Sequence, residues 1–180
     1  MRISSTNDLT LSALFIAMGL LLPILFHGLG IGAVFLPMFW PVAAGVFFLP
    51  IGHACLVALL TPVASFVLTG MPPVSPPILY VMMGELVALA AVSAWLFCRT
   101  GLGVFWIVLF GMAASRLMLF IFAGIIAPSL GLPARVYSVY SVVKGLPGVV
   151  VIMLLVPAMV AKIKQLNVFS SRMKNVDITS

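Results

Sequence analysis

Three charged residues stand within or beside apolar runs: Glu85 in YVMMGELVALAAV, Arg116 in GMAASRLMLF and Lys144 in SVVKGLPG. A carboxylate, a guanidinium and an ammonium can form ion pairs, hold a small polar ligand or relay a proton. Little else in the chain offers comparable chemistry. The acidic residues are Asp8, Glu85 and Asp177, too few for a site that works through metal-bound phosphates. His27 and His53 sit at segment edges, and Cys55 and Cys98 have no partners at metal-ligand spacing. The cysteines read as small packing residues. There is no Walker motif, HExxH or GxSxG. Ser115, beside Arg116, is the best remaining nucleophile, but no histidine shares its depth. The expectation is a protein that is not an enzyme and that uses no metal or cofactor.

The elements that position these charges follow from composition. The 180 residues are 64% hydrophobic and 7% charged, with a mean hydropathy of +1.34. Soluble domains carry about 25% charged residues. The solvent for most of this chain is therefore lipid. The net charge of +6 forms no stripe, which argues against a nucleic-acid partner. A helix needs about 20 apolar residues to cross a bilayer. Glycine and proline clusters divide the chain into six such runs: 9–26, 34–49, 53–69, 77–97, 102–124 and 141–161, with a polar tail over 162–180. The second run is short and has Pro37 and Pro41 near its start; Pro62 should kink the third, and Pro147 and Gly148 interrupt the sixth. The first run is longer than a signal-peptide core and lacks a good cleavage site after it, so it reads as a retained helix.

This is an all-α integral membrane protein with one domain, over residues 1–180. Six crossings place both termini on one side. Arg2, Arg99, Lys162, Lys164, Arg172 and Lys174 fall on that side, and Arg135 and Lys144 on the other. The positive-inside rule makes the first side cytoplasmic, in a cell membrane. Trp95 and Trp106 mark the inner interface; Tyr80, Tyr137 and Tyr140 mark the outer one.

Glu85 and Arg116 then lie at similar depth on two antiparallel neighbours, each roughly 12 Å below the outer boundary at 1.5 Å per residue. An unpaired charge there costs at least about 2.5–3.5 kcal/mol. Two readings are open. One is a structural ion pair that locks two helices. The other is a polar cavity opening to the outside, since intramembrane ionisable groups mark ligand paths. Lys144 is shallower, where a lysine can also snorkel to the headgroups. If all three groups line one cavity, its net charge is positive and favours a carboxylate or phosphate ligand. Met38, Tyr80 and Tyr140 complete the candidate binding set. The outer loops, glycine-rich HGLGIGAVFLP and proline-rich GMPPVSPP, suit a cover over such a site. With no visible inverted repeat, a stand-alone transporter that uses Glu85 as its proton site is the second hypothesis.

A further pattern lies in the first run. TLSALFIAMGLLLP carries Ala13 and Ala17 four residues apart, in the cytoplasmic half, where small residues let another helix approach closely. With the chain length, the six runs, VFLPMFWPVAAGVFFLPIG and TGMPPVSPP, the chain resembles the substrate-binding S component of energy-coupling factor (ECF) vitamin transporters. The resemblance covers nearly the whole chain. It implies that Ala13 and Ala17 dock on a transmembrane scaffold subunit, itself carried by two cytoplasmic ATPases. It also implies capture of a small water-soluble vitamin or precursor from outside and its delivery by toppling of the subunit. It does not carry the identity of the ligand or its contacts.

Overall fold

The structure, a computed structural model, describes residues 6–74, 78–126, 128 and 143–165. Among these residues there are only helices, turns and bends. Five helices are long and apolar enough to cross a membrane. In chain order the helices are α1 (Thr6–Gly28), α2 (Gly32–Phe35), α3 (Phe39–Gly45), α4 (Ile51–Thr69), α5 (Ile78–Arg99), α6 (Val104–Ile121) and α7 (Leu146–Gln165). A π-helical turn, Phe122–Ile126, continues α6.

The boundaries follow the breakers. Pro50 precedes α4, and Gly70 closes it in the left-handed conformation, its N–H bonded to Phe66 O at 2.8 Å. Gly103 begins α6. The largest departure from the sequence expectation is the run at 34–49, which is not one helix. α2 ends at Phe35, Leu36 turns left-handed (φ 49°), and α3 begins at Phe39. Pro37 supplies the reason. A residue before proline is disfavoured in the right-handed helical region, and Pro37 has no N–H to continue the ladder. Pro41 does no such damage, because it lies in the first turn of α3, where N–H groups have no intrahelical partner anyway.

The last run is interrupted as expected, with 143–144 helical, Gly145 a turn and α7 starting at Leu146. Pro147 falls in the first turn of the restarted helix, and Pro157 lies further along it. Gly148 is there for packing. A Cβ on it would lie 2.6 Å from the Phe35 carbonyl carbon and 2.7 Å from the carbonyl oxygens of Phe35 and Val34. The end of α2 thus rests directly on α7.

We call the end of the bundle that holds Gly28, Gly70 and Ile78 the top. α1 packs on α4, α4 on α5, α5 on α6 and α6 on α7. The broken α2–α3 segment joins the series, with α2 between α1 and α7 and α3 against α1, α4, α5 and α7. It descends beside α1: Trp40 meets Phe26 (ring centroids 5.4 Å apart), and further down Phe48 stacks on Phe15 (6.1 Å). Nearly all of 37–49 is buried, with Phe39 and Val46 at 1% exposure. Outward surfaces are apolar instead: Leu21 and Leu25 on α1, Val67 and Leu68 on α4, Leu117 on α6 and Leu154 on α7 are all exposed. Apolar outside as well as inside is the pattern of helices solvated by lipid, and the fold is consistent with a multi-pass membrane protein.

Candidate functional site

The tightest helix pair in the bundle positions the charged residues. α5 buries Glu85, Leu86, Leu89, Ala90, Ser93 and Ala94, one stripe at three- and four-residue spacing. α6 answers with Ile107, Val108, Gly111, Met112, Ser115 and Leu119. Small residues hold the seam closed. A Cβ on Gly111 would collide with Ser93 Oγ and lie 3.2 Å from Leu89 O. Ser93 Oγ also donates across the seam to Ile107 O at 3.4 Å. A Cβ on Gly84 would come within 3.0 Å of Met118. The close approach of the two backbones fixes the register in which Glu85 meets Arg116.

Arg116 Nη2 lies 3.1 Å from Glu85 Oε1, with the side chains 15% and 7% exposed. The same Nη2 approaches Ser115 Oγ at 3.4 Å, and Ser115 is fully buried. The guanidinium carbon sits 5.2 Å from the centroid of Phe39, over its ring. Phe39 comes from α3, so the broken segment supplies the floor on which the arginine rests. The pair thus draws on three elements and combines ionic, hydroxyl and cation–π contacts.

The arrangement is not saturated. Although the two charges touch, the alignment is not that of a hydrogen bond: Glu85 Oε1 accepts none, and Arg116 Nε has no acceptor. Both atoms are buried. A buried donor or acceptor left unmade costs about 1–3 kcal/mol, more when charged. One acceptor and one donor of the pair therefore stand unused.

The other candidates are placed differently. Met38 is buried at the break before α3, next in sequence to Phe39. Tyr80 is 58% exposed near the top of α5. Lys144 is exposed ahead of α7. Tyr140 lies outside the described residues, as do Arg135 and Tyr137. His27 is exposed at the end of α1 with its ring against Gly32. Ala13 and Ala17 are exposed on α1, next to Leu14 and Leu21 on the outer surface. Among the described residues no cluster of three or more His, Cys, Asp or Glu forms a metal site.

Phe39 is the contact that the sequence did not announce. Aromatic residues are frequent in apolar segments, and nothing in FLPMFWP singles out one ring as the partner of an arginine some 77 positions further on. The one available cue is that a segment broken by two prolines cannot be an ordinary span.

Comparison with family models, with known proteins and with solved structures finds no match to this chain.

Proposed function

We propose that this protein is the membrane-embedded substrate-binding subunit of an ECF-type importer. It captures a small water-soluble vitamin or precursor from outside and delivers it by docking on a scaffold subunit driven by two ATPases. In this reading the top of the bundle faces outward, the α2–α3 segment counts as the second of six crossings, and both termini are cytoplasmic in a prokaryotic plasma membrane.

The observation that carries the reading is the unsaturated Glu85–Arg116 pair packed against a broken, buried segment. A pair kept only to lock two helices gains from complete mutual hydrogen bonding. A pair that must also receive a ligand keeps bonding capacity in reserve. The exposed Ala13 and Ala17 on α1 supply a face on which another helix can approach closely.

The test is mass spectrometry of small molecules released on denaturing the detergent-purified protein, in parallel with Arg116→Ala. A stoichiometric vitamin-like molecule in the wild type, missing from the correctly inserted variant, is the expected result. Full retention by the variant removes Arg116 from the site. Uptake by this chain alone, abolished by Glu85→Gln and by collapse of the proton gradient, would move the protein to the proton-coupled carriers.

A further inference from the structure

We infer that the Glu85–Arg116 site takes a net-neutral ligand presenting a hydrogen-bond acceptor beside a donor, an amide-type edge, rather than an anion. The inference rests on the binding-subunit reading and sharpens it. It also departs from the charge expected when Lys144 is counted into the cavity.

The first reason is charge. Glu85 and Arg116 lie 3.1 Å apart and neutralise one another. The pair is thus neutral by itself, and Lys144 is exposed ahead of α7. An anion brought to Arg116 would lie beside the Glu85 carboxylate, and that repulsion is strong where water is scarce. It would also leave an uncompensated negative charge in the bundle.

The second reason is the unused bonding capacity. Arg116 Nε is a buried donor without an acceptor, and Glu85 Oε1 is a buried acceptor without a donor. A carboxylate or phosphate offers acceptors only. It could serve Arg116 but would present lone pairs to Glu85. A primary amide, lactam, ureide or aminopyrimidine edge offers one of each, side by side, and serves both.

The third reason is where the guanidinium is free. Phe39 covers a face of it, at 5.2 Å. Recognition is therefore left to the edge, which suits a planar donor–acceptor group. Neither unused atom reaches solvent, and Phe39 of α3 lies against the guanidinium. A shift of α3 about the left-handed break at Leu36 would uncover the guanidinium.

Benzamide and benzoate make a matched probe pair, alike in shape and different in charge and in the donor. The full-length protein in detergent is titrated with each, with heat or tryptophan fluorescence as the readout. Benzamide should bind in preference by roughly tenfold or more, as expected for one hydrogen bond to a charged group. Glu85→Gln, checked for a monodisperse profile, should reverse the preference, because it leaves Arg116 uncompensated. Benzoate preferred by the wild type overturns the inference, as does binding of neither probe. Molecules released from the denatured wild type give a second arm that needs no variant. A copurifying carboxylate or phosphate overturns the neutral-ligand inference while the binding-subunit reading stands. Autonomous uptake of a neutral amide does the reverse.

Discussion

The α5–α6 seam and the α2–α3 segment are both buried, yet they are built on opposite principles. The seam consists of two unbroken helices whose backbones come close at Gly111, with Met118 packed on Gly84, and it carries the charges. The segment is two short helices around a left-handed leucine, apolar almost throughout, held by aromatic contacts and by α7. Rigid elements hold polar groups to a precise separation. Irregular backbone inside a membrane is tolerated only where protein or a cavity surrounds it. The chain thus keeps its charges on the stiff pair and its backbone irregularity on the element packed against them.

The comparison breaks first if the seam can be loosened without harm. Gly111→Leu places a side chain where Ser93 and the Leu89 carbonyl already stand. Backbone cannot retreat as a flexible side chain can, so we expect no folded protein. Loss of the monodisperse species in size-exclusion chromatography is the readout. Gly52→Ala, with nothing within 4 Å of the new Cβ, is the control and should be neutral. A well-behaved Gly111→Leu protein would mean that the seam is not the rigid partner.

Second in size is the charge itself. Arg116→Ala leaves Glu85 buried without its counter-ion, which costs about 3–5 kcal/mol for a buried pair. Replacing both residues, Glu85→Met with Arg116→Met, should restore most of that stability in a detergent unfolding titration, since well-packed apolar groups often replace buried pairs at little cost. The two readings of the pair then separate. A structural lock predicts a double variant that keeps every function. A ligand site predicts one that folds and binds nothing.

The third measurement moves to the segment. Gly148→Ala drives a Cβ against the Phe35 and Val34 carbonyls. Overpacking of this kind costs about 1–3 kcal/mol. If α2 is the yielding element, the cost falls at the low end and the seam is untouched. A cross-link between Ser93→Cys and Ile107→Cys, which share a hydrogen bond in the native protein, reports the seam independently.

This division bears on what could be read from the chain alone. The long helices, their order and the antiparallel register of Glu85 against Arg116 were legible, because continuous apolar runs and 1.5 Å per residue determine them. The ion pair was not, because two residues at one depth can still face apart; Gly111 and Ser93 settle the rotation, and neither signals it locally. Residues 34–49 read as a short helix because hydropathy counts apolar residues and does not register which backbone groups Pro37 disconnects. Lys144 read either as a third member of the site or as a lysine snorkelling to the headgroups, because depth in sequence gives no direction in space. Its exposure follows from a place ahead of α7, outside the packed seam.

The smallest expected effect sharpens the comparison most, because it touches the break without adding volume. Trp40 Nε1 donates to Phe35 O at 2.8 Å, closing an orphan carbonyl at the end of α2 from the far side of Leu36. Its ring also meets Phe26. Trp40→Phe keeps an aromatic ring and deletes the donor. The stability cost should be about 1 kcal/mol, the net worth of one neutral hydrogen bond. If the α2–α3 break is the pivot of a cover, that modest loss should appear mainly as faster exchange of amide hydrogens in 36–49, with α5 and α6 unchanged. Equal acceleration in the seam would show that segment and seam open as one unit, and the distinction between rigid holder and moving cover would fall.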